Sequence, residues 1–328
     1  MSALRVLFIG GTGIISSACA DLAIQRGIEL SVLNRATTTK RTLTAGAELI
    51  QADIRDAAAT RAALGDRTFD VVVDFVAYTP DHVQGDIDLF TGRTRQYVFI
   101  SSASAYQKPV GRLPIVESTP LVNPYWEYSR DKIACEDLLL KAYRETGFPM
   151  TIVRPSHTYD QTAIPLLLGG WTAIDRMRRG EQVVVHGDGT SLWTLTHHAD
   201  FAHAFVGLLG HPQAIGDSFH ITSDEALTWN QIYTLMAEAA GTRPRLGHVS
   251  SESIAAVEPK WGPPLLGDMS HSVVFDNSKV KAIVPDYVAA TPFATGARQI
   301  VDWYDADPTR GVVDDAVNST LDKLIASA

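Results

Sequence analysis

Cysteine is scarce in this chain, which has only Cys19 and Cys135 among its 328 residues. Neither cysteine lies in a spacing typical of a metal site, and both fall in segments whose pattern predicts helix. Free cysteine is among the residue types most often buried. We therefore expect two reduced thiols in the core and predict neither a disulfide framework nor a metal site.

A long apolar run and an excess of basic residues are also missing. A membrane-spanning helix needs roughly 18 or more apolar residues, and no run reaches that length. The 28 Lys and Arg residues are outnumbered by 37 Asp and Glu, which gives a formal net charge of −9. That charge makes nucleic-acid binding an unfavoured function, because phosphate contacts need a basic surface. An apolar strand begins almost at the N-terminus, so we expect no signal peptide and a cytoplasmic location.

What the first 155 residues do have is an alternation of short apolar runs with amphipathic segments. The apolar runs predict strands at Leu4–Ile9, Glu29–Leu33, near Leu49, Phe69–Val76, Gln96–Ile100 and Met150–Arg154. The clearest helical segments are Ile14–Arg26 and Glu127–Arg144. Near-continuous Val and Ile runs are typical of strands covered on both faces. We therefore predict an α/β fold with a doubly wound parallel sheet.

After Arg154 the rhythm changes, because Pro and Gly become frequent and predicted strands become fewer. The strands expected there are Gln182–Val185 and Asp217–Ile221, and the helices are Ala199–Leu209, Trp229–Ala240 and Phe293–Tyr304. We expect a first domain at residues 1–155 and a smaller lobe, interleaved with it, at 156–310. Residues 311–328 are expected to form a loosely packed C-terminal extension.

The segment GGTGIISS (Gly10–Ser17) joins the first predicted strand to the first predicted helix. Glycines let the backbone approach a pyrophosphate, and a helix N-terminus supplies free N–H groups. This context predicts dinucleotide binding, and the alternative is a plain tight turn. Ser16 occupies the usual place of a third glycine. We expect its hydroxyl to bond back to a carbonyl one turn earlier, without removing phosphate donors.

The end of the second strand bears on the choice between NAD and NADP. An acidic residue there would bind the ribose 2′-hydroxyl of NAD, but the chain has Asn34 and Arg35, with Lys40 and Arg41 nearby. A guanidinium can pair with the 2′-phosphate of NADP, so NADP is favoured over NAD. The alternative is that Arg35 is a solvated loop charge. Asp53, after the third strand, could accept from the adenine amino group or cap a helix.

Two segments carry the residues suited to acid/base chemistry. YSRDK places Tyr128 and Lys132 four residues apart, on one face of a helix. A nearby ammonium favours the phenolate, so we expect Lys132 to lower the pKa of Tyr128. FISSASAY places Ser101, Ser102 and Ser104 at the carboxyl end of a strand, where such sheets bind ligands. These serines could bind a substrate oxygen, or they could only solvate a loop.

With these motifs the chain resembles the extended short-chain dehydrogenases/reductases, specifically their NAD-dependent epimerase/dehydratase family. GGTGIIS, ADIRD, SSASAY, YSRDK, RPSHTYD and HGDGTSLWTLTHHADFAHAF occur in that family's order, from Gly10 to Phe205. The resemblance implies a Rossmann-type fold in which residues 1–155 bind the dinucleotide and the second lobe binds the substrate. It also implies a homodimer formed through helices around His82–Thr91 and Glu127–Arg144.

The resemblance further implies which residues form the active site. Its catalytic residues would be Ser102, which orients the substrate oxygen, Tyr128, which moves the alcohol proton during hydride transfer, and Lys132, which tunes the tyrosine. The implied contacts to NAD(P) are Gly10, Thr12, Gly13, Ile14, Asn34, Arg35, Asp53, Ile54, Ala77, Tyr128, Lys132, Pro155 and His157. The expected substrate contacts are Ser102, Ser104, Tyr125, Trp126, His157 and Trp193.

Departures from the family pattern bear on the substrate. His157 stands where nucleotide-sugar enzymes usually have Asn, and Trp193 where they often have a diphosphate-binding Arg. Losing that bidentate partner argues against an ordinary nucleotide sugar, and the aromatic residues suit free sugars, glycosides or other flat apolar ligands. Core packing is the alternative role of the tryptophans. Ala103 and Ser104 follow Ser102 where dehydratases of nucleotide sugars have Asp and Glu, which disfavours dehydration.

The sequence thus predicts an NAD(P)-dependent epimerase or oxidoreductase that acts on a sugar or sugar-like alcohol or carbonyl. The alternative is a non-catalytic dinucleotide-binding protein, either regulatory or RNA-associated. It arises because His271–Lys281 is similar to a poorly defined subgroup that includes relatives of plastid RNA-binding proteins. The intact set of Ser102, Tyr128 and Lys132 favours the enzyme.

Overall fold

The computed structural model describes residues 3–37 and 41–327. The strands are β1 (Arg5–Ile9), β2 (Glu29–Asn34), β3 (Glu48–Gln51), β4 (Val71–Asp74), β5 (Tyr97–Ile100), β6 (Met150–Pro155), β7 (His157–Tyr159), β8 (Gln182–His186), β9 (Leu192–Trp193), β10 (Leu195–His197), β11 (Asp217–Ile221), β12 (Leu227–Thr228) and β13 (Arg245–Val249). The α-helices are α1 (Ile14–Gln25), α2 (Ala57–Leu64), α3 (Pro80–Phe90), α4 (Glu127–Thr146), α5 (Trp171–Arg178), α6 (His198–Leu208), α7 (Trp229–Ala239), α8 (Ser251–Val257), α9 (Gly262–Pro264), α10 (Ser278–Ile283), α11 (Phe293–Asp305) and α12 (Asp315–Ala326). A π-helical turn spans Leu265–Met269.

Seven strands form one parallel sheet in the order β3-β2-β1-β4-β5-β6-β11. The chain runs outward from β1 to β3 and then returns to build the other half from β4. This reversal leaves the carboxyl ends of β1 and β4 side by side at the switch point, where open α/β sheets bind ligands. The α/β fold class and the doubly wound parallel sheet predicted from the sequence are confirmed.

Both faces of the sheet are covered by helices. Val6 and Phe8 of β1 belong to a core that also contains residues of α1 and α6. Leu7 and Ile9, which alternate with them, belong to the core formed with α2, α3 and α4. The period of two in a strand sends neighbouring side chains to opposite faces, which explains why these strands read as continuous apolar runs.

The chain beyond β6 builds a second lobe and also returns to the sheet. Strand β11 pairs with β6, from Asp217 opposite Thr151 to Ile221 opposite Pro155, and α6 packs against α1. The rest of the lobe has its own aromatic core, which includes Tyr159, Trp193, Trp229 and Phe293. The two parts of the chain are therefore interleaved in space.

The C-terminal segment is packed more closely than the sequence suggested. Helix α12 begins at a cap in which Asp314 accepts from the N–H groups of Ala316 and Val317. Leu321 and Leu324 are fully buried, in a cluster with Val184 of β8 and other apolar residues. The prediction of a loosely packed extension at 311–328 is wrong, because the short apolar stripe of this helix covers the outer face of the second lobe.

The two cysteines are buried and free. In the part of the chain that the structure describes, no helix has the length and apolar character needed to cross a bilayer. Nor do residues 3–37 and 41–327 bring together three or more His, Cys, Asp or Glu side chains in a group that could hold a metal ion.

A buried acidic pair lies beneath the carboxyl end of β4. The hydroxyl of Tyr97 donates to Asp86 at 2.6 Å, and the carboxylate of Asp74 lies beside Asp86. Burial, followed by the charge of Asp74, raises the pKa of Asp86 well above its ordinary value. The carboxyl group of Asp86 therefore holds its proton to a higher pH than an exposed aspartate does.

Asp86→Asn should make stability less dependent on pH. Protonated Asp86 contributes stability that is fully present below about pH 4 and is lost as the pH rises toward the raised pKa. An amide at this position needs no proton, so the variant should gain about 1.4 kcal/mol per pH unit over the wild type across that range. Urea unfolding between about pH 5 and about pH 8 measures the difference. Asp88→Asn, on the exposed face of α3, is the control. A difference between Asp86→Asn and wild type that does not change with pH would mean that Asp86 is ionised in the folded protein.

Candidate active site

The turn between β1 and α1 has the backbone that close approach of a ligand requires. Gly10 and Gly11 have φ values of 106° and 97°, in the region that favours glycine. A Cβ atom on Gly11 would lie 2.6 Å from a methyl carbon of Val32. The first turn of α1 then presents N–H groups that lack intrahelical acceptors, so the turn is shaped to bind an anion.

Ser16 is bonded differently from the sequence expectation. Its Oγ accepts from the N–H of Gly13 at 2.8 Å, whereas Ser17 donates to the carbonyl of Gly13 at 2.8 Å. The expectation that Ser16 bonds back to a carbonyl and leaves every phosphate donor available is therefore wrong. The serine occupies one donor of the loop, while Ile14 and Ile15 keep first-turn N–H groups for a ligand.

Ser16→Gly should tighten dinucleotide binding, because it releases the N–H of Gly13. We expect the dissociation constant to fall by about tenfold or more, the effect of one additional hydrogen bond to a charged group. Isothermal titration with NAD and NADP measures it. Ser17→Ala is the matched control, since it removes a neighbouring hydroxyl and leaves the bond between Gly13 and Ser16 intact. Unchanged or weaker binding by Ser16→Gly would show that the Gly13 N–H does not serve the ligand.

A groove of about 680 Å³ runs from this turn along the carboxyl ends of β1, β2 and β3. Its lining includes six of the residues expected to bind the cofactor: Gly10, Thr12, Asn34, Arg35, Asp53 and Ile54. Gly13 and Ile14 open the adjoining helix. The volume lies in the range of sites for ligands of this size, roughly 300–1,000 Å³. The glycine turn and the groove therefore fit a dinucleotide.

The basic residues near β2 differ in what they contact. Arg41 is bound at 2.5 Å to Asp160, a carboxylate from the other lobe, so Arg41 is engaged in a structural ion pair. Arg35 lines the groove, and Lys40 lies outside the described residues. Asn34 turns its side-chain oxygen toward the N–H of Ala36, at 2.8 Å, which shapes the bend that carries Arg35. Arg41 and Arg55 line the groove as well, and Arg35 is the one that directly follows β2.

The two aspartates after β3 have separate roles. Asp56 caps α2 by accepting from the N–H of Ala59 at 2.9 Å. Asp53 instead accepts from the N–H of Arg55 at 3.0 Å and lines the groove. Of the alternatives left open by the sequence, helix capping belongs to Asp56, and Asp53 remains available to a bound base.

The proposed catalytic side chains come from the end of β5 and the first turns of α4. Ser102 and Tyr128 line a second cavity of about 260 Å³, together with Pro155 and Ser104. Lys132 lies one turn after Tyr128, and its ammonium donates to the carbonyls of Ala77 and Ile100 at 2.6 and 2.8 Å. The lysine thus ties α4 to the ends of β4 and β5 and sets the tyrosine at the edge of the sheet.

The protonation of Tyr128 and Lys132 is governed by burial. Burial raises the pKa of Tyr128 to about 12, and the hydroxyl of Ser102 beside it acts in the opposite direction. Burial also lowers the pKa of Lys132 to about 8. The expected lowering of the pKa of Tyr128 by Lys132 is not found, because the ammonium lies 5.8 Å from the ring centroid and is bound to carbonyls. Tyr128 is a protonated phenol in this state.

A chain of three serine hydroxyls leads to the cavity. Ser129 donates to Ser104 at 2.8 Å, and Ser104 and Ser102 are 2.9 Å apart. Ser104 has one hydroxyl proton and already accepts from Ser129, so it can donate to Ser102. The proton of Ser102 then remains for a ligand oxygen or for Tyr128. Ser129 was not among the predicted site residues, although it directly follows the tyrosine in YSRDK.

His157 and Trp193 form a bonded pair in the wall of the same cavity. The indole Nε1–H of Trp193 donates to Nδ1 of His157 at 3.2 Å, and burial lowers the pKa of His157 to about 4. The imidazole is therefore neutral, and the bond assigns its proton to Nε2. Trp193 also packs against Trp229 with ring centroids 5.2 Å apart, so it both belongs to the core and lines the cavity.

Tyr125 is not brought into this cavity. Its side chain is 44% exposed and lines an open outer groove with Tyr78 and Lys260. Trp126, the next residue, does reach the cavity and lies 4.9 Å from the ring of Tyr128. Tyr125, predicted to contact the substrate, therefore does not line the cavity: both residues line the outer groove, and only Trp126 also reaches the cavity.

Sequence reasoning also missed the turn that closes the cavity. Asp268 and Met269, from the π-helical turn, line it, and the carboxylate of Asp268 is 2.9 Å from the ammonium of Lys108. The carbonyl of Met269 accepts from Trp229 and from His186, each at 3.0 Å. These contacts join residues that are far apart in the chain, so no local sequence motif predicts them.

The comparisons with known proteins agree with this geometry. A putative UDP-glucose 4-epimerase of Methanocaldococcus jannaschii is 26% identical over 259 residues, which cover 73% of this chain and 83% of that protein. The chloroplast stem-loop binding protein of 41 kDa b of Arabidopsis thaliana is 23% identical over 254 residues, covering 72% of this chain and 63% of that protein.

Among solved structures, the epimerase Mth375 of Methanothermobacter thermautotrophicus superposes with a TM-score of 0.77 over 94% of each chain, at 14% identity. At that identity the likeness shows the fold alone. The model of the family described as "NAD dependent epimerase/dehydratase family" matches residues 6–222, which include the glycine turn, Ser102, Tyr128 and Lys132. The chain belongs to the NAD-dependent epimerase/dehydratase family.

Proposed function

We propose that the protein is an NAD(P)-dependent epimerase or oxidoreductase that acts on a sugar or sugar-like alcohol or carbonyl. The observation that carries the proposal is the position of Tyr128. It lines the small cavity with Ser102, and it also borders the outer groove with Tyr78, which reaches the dinucleotide groove. The phenol of Tyr128 thus lies where a bound substrate would be next to the cofactor, in a position to donate a proton.

In this proposal Ser102, Tyr128 and Lys132 have separate roles in the reaction. The bound nicotinamide would supply or accept hydride. Ser102, supplied with a proton through Ser104 and Ser129, would hold the reacting oxygen of the substrate. Tyr128 would give a proton to that oxygen, or remove one from it, according to the direction of the reaction. Lys132, fixed by two carbonyls, would hold α4 in place and stabilise the phenolate when it forms.

Dehydration of the kind seen with nucleotide sugars is not part of the proposal. It needs an additional acid beside the serine, and the cavity has Ala103 and Ser104 there. Epimerase and reductase differ in how they treat the cofactor. Purified protein that retains nucleotide and interconverts two sugars without net oxidation would be an epimerase. Protein that consumes added NADPH in proportion to substrate would be a reductase.

The favoured cofactor is NADP, because Arg35, which directly follows β2, lines the groove together with Arg41 and Arg55. Arg35→Ala should weaken NADP binding by about tenfold or more, the effect of losing one charge-assisted contact. NAD lacks the 2′-phosphate, so its affinity should change little and serves as the internal control. Isothermal titration measures both affinities. An equal loss of affinity for NADP and NAD would show that Arg35 does not bind the 2′-phosphate.

The alternative function, a non-catalytic RNA-associated protein of the same fold, draws support from the similarity to the chloroplast stem-loop binding protein. The net charge of −9 and the assembled set of Ser102, Tyr128 and Lys132 favour the enzyme. Filter binding of structured RNA at low salt separates the two. Retention of RNA at micromolar protein, together with an absence of turnover, would favour the alternative.

A homodimer in the cytoplasm completes the proposal. Helices α3 and α4 pack side by side against one face of the sheet and could form a four-helix interface with a second copy. Sedimentation equilibrium measures the mass of the assembly, and a monomer at micromolar concentration would contradict it.

A further inference from the structure

The small cavity beside Tyr128 contains a carboxylate that the proposed reaction does not use. Asp268 is 16% exposed, and its side chain lines the cavity. Its charge acts on both Tyr128 and His157, where it opposes ionisation of the phenol and favours protonation of the imidazole. Asp268 therefore lies near the two polar side chains between which a ligand would sit.

The surrounding structure holds Asp268 in place. The ammonium of Lys108, whose side chain is fully buried, lies 2.9 Å from its carboxylate. The preceding residue, Gly267, packs so closely that a Cβ atom there would be 2.9 Å from Trp126. Asn123 donates to the carbonyl of Gly267 at 2.7 Å and to that of Ser104 at 2.9 Å. The turn that carries Asp268 is thus fixed to the serine loop and to the start of α4.

The charge of the cavity is unfavourable for a diphosphate. None of its lining residues within the described chain is Lys or Arg. The buried ammonium of Lys108 faces Asp268 and is neutralised by it. Phosphates are usually recognised by unpaired guanidinium or ammonium groups. A diphosphate inside the cavity would meet a carboxylate whose cation is already engaged. Arg130 and Lys260, the cations of the adjoining outer groove, do not line the cavity.

The size and the other polar groups favour a single sugar ring. The cavity of about 260 Å³ is smaller than the roughly 300–1,000 Å³ that larger, drug-sized ligands occupy. Asp268 can only accept hydrogen bonds, and the neutral His157 offers a donor at Nε2. Trp126 and Trp193 supply aromatic faces, against which the C–H face of a sugar packs. These groups match neighbouring hydroxyls on an uncharged ring.

We propose that Asp268 determines the substrate class: it accepts hydrogen bonds from hydroxyl groups of a small, uncharged sugar or polyol and excludes nucleoside diphosphate sugars. This inference rests on the proposed function for the reaction, but it makes a separate statement about binding. Lys108 orients the carboxylate, and His157 and Trp193 complete the recognition of the ring.

Binding to the protein loaded with NADP tests the inference without requiring turnover. UDP, UDP-glucose, D-glucose, D-galactose and xylitol are titrated calorimetrically into wild type, Asp268→Asn and the double variant Lys108→Met/Asp268→Asn. The control is Asp305→Asn, which changes a carboxylate in an exposed ion pair with Arg178.

In Asp268→Asn the repulsion between the carboxylate and the phosphates of UDP is lost, and Lys108 is unpaired. UDP should therefore bind this variant at least about tenfold more tightly than wild type. At least one of the free sugars or xylitol should bind wild type, and that affinity should fall by about tenfold in both variants.

The double variant covers the case in which the single variant misfolds, because no unpaired charge is buried there. UDP-glucose that binds wild type more tightly than every free sugar, or UDP affinity that is the same in wild type and Asp268→Asn, would overturn the inference. Reduction of the bound NADP by UDP-glucose alone would keep the proposed function and reject this substrate class. If no sugar changes the absorbance of the nicotinamide, the proposed function fails, and the titrations still decide the role of Asp268.

Discussion

Tyr128→Phe should lower turnover by about a thousandfold, the range that a positioned general acid or base contributes. The substitution removes one hydroxyl from a residue that lines the cavity with Ser102. No other phenol lines that cavity within the described chain, and the serine chain lacks a group that could take the place of Tyr128. Folding should be unchanged, because the ring remains to pack against Trp126, and any loss of cofactor affinity should be far smaller than the loss of turnover.

The measurement compares kcat and the dissociation constant for NADP in wild type, Tyr128→Phe and Tyr143→Phe. Tyr143 is on the same helix with 39% of its side chain exposed, so it controls for loss of a phenol from α4. A variant that retains most of its turnover would show that another group moves the proton. Since burial raises the pKa of Tyr128 to about 12, a bound cation would be needed to bring the phenolate into the working range. The pKa of Tyr128, followed by ultraviolet difference spectra, should therefore fall when oxidised cofactor binds.

Glu136→Ala should reduce the free energy of unfolding by about 3–5 kcal/mol, as expected when one partner of a buried ion pair is removed. Glu136 lies on α4 and is fully buried. Its carboxylate accepts from Arg154 of β6 at 2.9 Å through Nε and at 2.6 Å through Nη2. It also accepts from the hydroxyl of Ser101 at the end of β5. Without Glu136, the guanidinium would remain buried beneath the site with fewer partners.

Urea unfolding of Glu136→Ala, Arg154→Met and the double variant measures this contribution. Because the second substitution removes the uncompensated charge, the double variant should be more stable than additivity predicts, by about 1–3 kcal/mol. Glu145→Ala changes an exposed glutamate at the end of the same helix and should have little effect. Additive losses would mean that the two groups stabilise the fold independently.

The parts of the fold that could be predicted from sequence are those in which local pattern and burial agree. The strand predicted at Asp217–Ile221 matches β11 residue for residue, and the helix predicted from Glu127 begins where α4 does. Strand β11 and helix α4 are both long enough for the spacing of their apolar residues to indicate the type of element. Strands β9 and β12, two residues each, carry no pattern and exist because the second lobe brings them together.

The site was predictable where a motif fixes the spacing and not where the tertiary fold brings distant residues together. Tyr128 and Lys132 share one helix, so their common face follows from the sequence. Lys108 and Asp268 meet across 160 positions of chain, and only the packing of the π-helical turn places them together. The direction of the pKa shift of Tyr128 was also inaccessible, because it depends on burial by both lobes. Ser16 shows a subtler limit: the hydroxyl was expected to donate, and the geometry of the loop makes it accept.

The pairing of β11 with β6 has a consequence for how this chain could be divided or recombined. The last strand of the seven-stranded sheet is supplied by the half of the chain that also lines much of the small cavity. A fragment that ends after β6 would present an unpaired, apolar strand, which invites association with other chains. The two lobes are therefore expected to unfold in one cooperative transition. A chimera that exchanges substrate lobes between relatives would have to import β11 and α6 with the cavity, so new specificity is more readily reached by changing residues such as Asp268 in place.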